Sequence, residues 1–141
     1  MSIARTTDDR VALAAGRHDV RDGHRARMER LLALAEALPD EDRLLVRQVY
    51  EIGLTIAEIA RQAERPRGRI HRRLQGILRR MRRPLFRYVA AHRAILPVEL
   101  RRVAELKAIH GLSGRRIAAI TRQTQHAVRF KIEALRALAQ M

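Results

Sequence analysis

The stretch GLTIAEIARQAERPRGRI, residues 53–70, constrains the fold more than any other part of the chain. Thr55 stands where a helix N-cap is needed and Glu58 follows three residues later, the capping-box spacing that satisfies two orphan backbone donors. Ile56, Ile59, Ala60 and Ala63 recur at helical spacing and define one short apolar face. Glu64-Arg65-Pro66 ends that helix, because proline disfavours helical geometry in the residue before it. Pro66 also suits the first turn of a following helix, where its missing N–H costs nothing. Ile70, Leu74, Ile77 and Leu78 supply the apolar face of this second helix. The pattern is that of a helix-turn-helix.

The outward face of the second helix carries Arg67, Arg69, His71, Arg72, Arg73, Arg79 and Arg80, and no acidic residue occurs from Pro66 to Met81. A solvated helix usually mixes charge signs. An arginine-loaded helix behind a short partner fits a recognition helix in a DNA major groove. The bland alternative is a helical hairpin with a basic solvated face.

The surrounding residues 38–81 resemble the fourth region of the bacterial sigma-70-type factors. The resemblance rests on Leu44, Leu45, Val49 and Tyr50, then Gly53-Leu54-Thr55, Glu58-Ile59-Ala60, Ile70 and Arg73-Leu74. It implies a four-helix unit that reads the −35 promoter element and touches RNA polymerase. The motif is moderately specific, since response regulators and phage activators share most of it. That family usually has glycine in the turn, where this chain has Glu64. Either Glu64 takes a left-handed conformation, at about 1–2 kcal/mol, or the turn differs.

Beyond this unit the pattern restarts. Shifted by 58 residues, the chain aligns on itself without a gap: Leu38-Pro39 on Leu96-Pro97, Gly53-Leu54-Thr55 on Gly111-Leu112-Ser113, Ile59-Ala60 on Ile117-Ala118. Ile70, Leu74 and Ile77 meet Val128, Ile132 and Leu135. We read this as an internal duplication. The expected organisation is all-α: a flexible basic arm over 1–23, a first helix-turn-helix unit over 24–84 and a second over 85–141, of about four helices each. A helix is expected over 24–37, with Met28, Leu31, Leu32, Ala35 and Leu38 inward. Pro39 with Asp40, Glu41 and Asp42 starts the next helix, complementing its dipole. Leu45, Val46, Val49, Tyr50 and Ile52 continue the core and Gly53 caps. The second helix of the motif should end near Arg83, before Pro84.

In the second unit Ser113 caps a helix running from Gly114 to Ile120 or Thr121, and Thr124 caps the next. Gln125, His126, Ala127, Arg129, Phe130, Lys131 and Arg136 should face outward. Gln125 suits adenine, and Arg129 guanine or phosphate. Arg115 and Arg116, with Arg101 and Arg102, are expected on the DNA backbone. Arg5, Arg10, Arg17 and Arg21 of the arm could reach phosphates, although Asp8, Asp9, Asp19 and Asp22 weaken that reading.

Charge agrees with a polyanionic partner. With 30 Lys and Arg against 15 Asp and Glu, the net charge is +15. A preference for arginine over lysine follows from genomic base composition, but a two-to-one basic excess does not; it points to nucleic acid. The chain has no cysteine, which excludes disulfides and cysteine-based metal sites. The six histidines fall in no metal-ligand spacing, no glycine-rich phosphate loop or nucleophile elbow occurs, and no cofactor is implied. No run is long and apolar enough to span a bilayer. Scarce aromatics disfavour a single-strand stacking platform.

The expected function is therefore non-enzymatic: a double-stranded DNA-binding transcriptional regulator with tandem helix-turn-helix units, cytoplasmic and nucleoid-associated, with RNA polymerase as the second partner that the resemblance implies. A sequence-tolerant nucleoid protein and a protein-interaction adaptor are the alternatives.

Overall fold

A computed structural model describes the backbone of residues 7–141 and the side chains from residue 20 onward. Among the described residues the secondary structure is helical throughout, with no strand. The eight α-helices are α1 (Thr7–Ala35), α2 (Asp40–Arg47), α3 (Ile56–Ala63), α4 (Arg67–Met81), α5 (Pro84–His92), α6 (Val98–Ala104), α7 (Gly114–Thr121) and α8 (Gln125–Gln140). The all-α expectation holds.

Local chemistry accounts for the boundaries of the first motif. The Thr55 side chain accepts from the Glu58 N–H at 3.1 Å, and the Thr55 N–H donates to Glu58 Oε1 at 3.4 Å, so the capping box closes. After α3 the chain enters the left-handed region at Glu64, with φ 54° and ψ 45°. Of the two alternatives the left-handed one holds, and Glu64 carries the strain that a glycine would avoid. The Arg65 N–H then donates to the Ala60 carbonyl at 2.9 Å, closing the end of α3. Pro66 takes the N-cap position rather than the first helical turn, and α4 begins at Arg67.

The same devices recur 58 residues later. Ser113 Oγ accepts from the Arg116 N–H at 3.2 Å, and Thr124 Oγ1 from the Ala127 N–H at 3.1 Å. Arg116 replaces the glutamate of the first box, so the reciprocal bond is missing there. Arg122 is left-handed, with φ 56°, and the Gln123 N–H reaches the Ala118 carbonyl at 3.0 Å. Gly53 and Gly111 have φ 84° and 71°. Each lies just beyond a π-helical turn, Gln48–Ile52 after α2 and Glu105–Ile109 after α6. Such turns insert a residue into a helix, and no periodicity in the sequence signals them.

One hydrophobic core is shared from α2 to α8. Val46, Ile59, Leu74 and Ile77 fill it at one end, Val103, Ile117, Val128 and Leu135 at the other. Met81, Leu85, Phe86 and Val89 join the two. α4 packs on α2 and α3; α8 packs on α5, α6 and α7.

Several expectations require correction. α1 starts at Thr7, well before His24, so residues 7–23 of the expected arm lie in helix. The run VALAA has high intrinsic helix propensity but no apolar period, and a search for periodicity passes over it. Residues 1–6, with Arg5, lie outside the described residues, as do the side chains of Arg10 and Arg17; Arg21 is exposed. Ile52 is 64 % exposed, because the π-helical turn rotates it off the inward face. Ala63 is exposed at the last position of α3. α4 ends at Met81, and Pro84 serves as the first residue of α5 rather than only as a stop. No helix among the described residues is long and apolar enough to cross a membrane.

Candidate nucleic-acid interface

The buried residues Ile70, Leu74, Ile77, Leu78 and Met81 fix the rotation of α4. That rotation leaves Arg67, Arg69, His71 and Arg72 exposed on its N-terminal half and Arg79 exposed further along. No side chain caps the N-terminus of α4. Its helix dipole therefore adds positive potential where Arg65, Arg67 and Arg69 already stand. A Cβ on Gly68 would come within 3.4 Å of the Arg72 guanidinium, so Arg72 lies back over Gly68 toward that end. Arg65, Arg67, Arg69 and Arg72 and a helix N-terminus thus present one positive surface, suited to phosphate oxygens and to guanine edges.

Arg73 is placed differently. Its guanidinium pairs with Asp42 at 2.9 Å and Glu41 at 3.2 Å. Burial acts to lower the Arg73 pKa, but the hydrogen bonds and charges of Asp42 and Glu41 outweigh it and raise the pKa overall. Arg73 therefore ties α4 to the first turn of α2. Arg80 does the same from one side, at 2.8 Å from Asp42. These two arginines are struts of the fold, and sequence reading placed them on the open face because Asp42 is remote in the chain.

On the second motif, Arg115 and Arg116 are exposed on α7, and Gln125, His126 and Arg129 are exposed on α8. Phe130 is 71 % exposed beside them, as expected. Lys131 is half-buried and donates to Gln123 Oε1 at 2.6 Å, which draws it toward the turn. Arg101 serves the fold: it donates to the carbonyls of Ala94 at 3.0 Å and Leu96 at 2.9 Å, closing the chain after α5. Arg102 remains exposed. α8 therefore offers a mixed polar face, with fewer charges than α4.

Sequence reasoning missed the contact between α4 and the turn before α7. A Cβ on Gly111 would lie 2.7 Å from Arg80 Cδ and Nη1, so the Arg80 side chain crosses directly over the Gly111 backbone. Asp42, Arg80 and Gly111 thereby link α2, α4 and the turn before α7. Only their tertiary adjacency reveals this. No group of His, Cys, Asp and Glu among the described residues could hold a metal ion.

Residues 34–83 match the sequence model of the family described as Sigma-70, region 4. No curated protein and no solved structure gives a significant match. The matched segment takes in the end of α1 and all of α2, α3 and α4; it leaves α5 to α8 outside. The family is one of DNA-binding domains rather than enzymes. Residues 34–83 are accordingly a sigma-70 region 4-like helix-turn-helix domain, set within a longer helical chain.

Proposed function

We propose that the chain is a transcriptional regulator that binds double-stranded DNA through two helix-turn-helix units, α3–α4 and α7–α8. The observation that carries this reading is the exposed arginine face at the N-terminal half of α4, within the segment that matches the sigma-70 region 4 model. Arg67, Arg69 and Arg72 contact phosphates and base edges, His71 and Arg79 flank them, and Arg73 positions the helix through Asp42. α8 is the second reading helix, with Gln125, His126 and Arg129 toward bases and Arg115 and Arg116 toward the backbone. The two units are products of an internal duplication; the recurrence of caps, left-handed turn residues and glycines at a constant offset supports it. The site of action is the cytoplasmic nucleoid. Contact with RNA polymerase follows from the family resemblance, and co-purification with polymerase subunits tests it; their absence would remove that partner.

Binding of a labelled duplex measured against salt tests the DNA reading. Affinity should fall steeply, with a log–log slope of about −0.9 for each phosphate contacted. Arg69→Ala and Arg72→Ala should each weaken binding, a lost base contact costing about 1–3 kcal/mol. Arg73→Ala should chiefly lower stability. Unchanged affinity in both Arg69→Ala and Arg72→Ala would contradict the groove assignment. Strong binding indifferent to sequence would favour a sequence-tolerant architectural protein, which the net charge of +15 also suits.

A further inference from the structure

Three cations from three separate elements meet where the units join. Arg83 lies in the turn between α4 and α5, Lys107 on the π-helical turn after α6, and Arg136 on α8. Together with Arg80 and the first residues of α5 they line one cleft of about 190 Å³, and no carboxylate lines it. Arg80 has its partner in Asp42. The side chains of Arg83, Lys107 and Arg136 make no hydrogen bond or ion pair among the described residues. Bringing like charges together without a counter-charge is unfavourable, the more so where solvent is partly excluded.

Lys107 is half-buried, and its pKa is lowered by burial first and then by Arg136 and Arg83. α5 adds the positive end of its dipole, since Arg83 at its N-cap makes no side-chain cap and Pro84 to Phe86 form part of the cleft wall. Lys107 also borders two neighbouring clefts. One is lined by Arg72, Arg79 and His110, the other by Arg115, Gln125 and Arg129. The second has one carboxylate, Glu133, and the first has Asp42, already paired with Arg73 and Arg80.

We propose that Arg83, Lys107 and Arg136 form a phosphate-binding site at the junction of the two units. The phosphate is either a backbone phosphodiester of bound duplex, passing between α4 and α8, or that of a free phosphate-bearing molecule. The first source rests on the DNA-binding reading above; the second does not.

The chain contains only two lysines, Lys107 and Lys131, which makes the test direct. Reductive ¹³C-methylation gives each lysine its own NMR signal, assigned with Lys107→Met. Titration with pyrophosphate should raise the Lys107 pKa and leave Lys131 unmoved. In parallel, the salt dependence of duplex binding is compared for wild type, Lys107→Met, Arg136→Gln and the α1 surface control Arg25→Gln, each checked for an unchanged circular dichroism spectrum. A slope shallower by about 0.9 for Lys107→Met and Arg136→Gln, with Arg25→Gln as wild type, identifies the DNA backbone as the source. A Lys107 response to pyrophosphate with slopes unchanged identifies a free phosphate group. If neither occurs, the site is overturned, even with DNA binding intact. If the wild type does not bind duplex at all, the regulator reading fails, and the pyrophosphate arm alone decides the site.

Discussion

Glu64 and Arg122 hold the left-handed position of their turns without being glycine. The cost of that conformation for an L-residue is roughly 1–2 kcal/mol, partly offset in a Gly variant by the greater entropy of the unfolded chain. Glu64→Gly and Arg122→Gly should each raise stability by about 0.5–1 kcal/mol in urea denaturation; a loss would mean that the side chains stabilise the turns. The two left-handed glycines should respond unequally to alanine. At Gly53 an added Cβ meets nothing within 4 Å, so the cost is the backbone strain, about 1–2 kcal/mol. At Gly111 the same Cβ strikes Arg80, which Asp42 holds in place, so Gly111→Ala should be the more damaging in the same experiment. Lys107 gives a pH signature. Its lowered pKa means that folding disfavours its protonated form. That penalty is full at neutral pH and is relieved as pH rises through the lowered folded-state value toward the ordinary 10.5. Lys107→Met should therefore abolish a gain in stability between neutral and alkaline pH, read from urea midpoints.

At the scale of elements, what was legible in the sequence is what local chemistry decides. Thr55, Glu58, Ser113 and Thr124 act as caps where spacing placed them, and α7 has the bounds expected for it. Replacing Thr55 with Ala should cost about 1 kcal/mol. Ser113→Ala should cost less, because no acidic residue completes its box; equal losses in thermal unfolding would deny the Glu58 contribution. What was illegible depends on residues far apart or on signals other than period. The N-terminal part of α1 shows alanine-rich propensity without amphipathicity. The π-helical turns leave no trace in the pattern, and they turn Ile52 outward. Arg73 and Arg80 look like their exposed neighbours until α2 brings Asp42 against them. Of the candidate interface, Arg67, Arg69, His71 and Arg72 were readable from the register of α4, whereas the Arg83–Lys107–Arg136 junction was not.

The whole molecule couples two motifs through one core and through the Asp42–Arg80–Gly111 contact. Met81, Leu85, Phe86 and Val89 make the apolar core continuous between the halves. Thermal unfolding followed by calorimetry and by circular dichroism should therefore show one coincident transition; two separated transitions would mean that the halves fold independently. Joined in this way, α4 and α8 present unlike faces, one dense in arginine and one mixed polar. Selection of a random duplex library on the purified chain, followed by sequencing, tests this account most directly. An enriched, asymmetric site of two unlike blocks about one helical turn apart is the result that the proposed reading by both α4 and α8 predicts. No retention of duplex at physiological salt would contradict it.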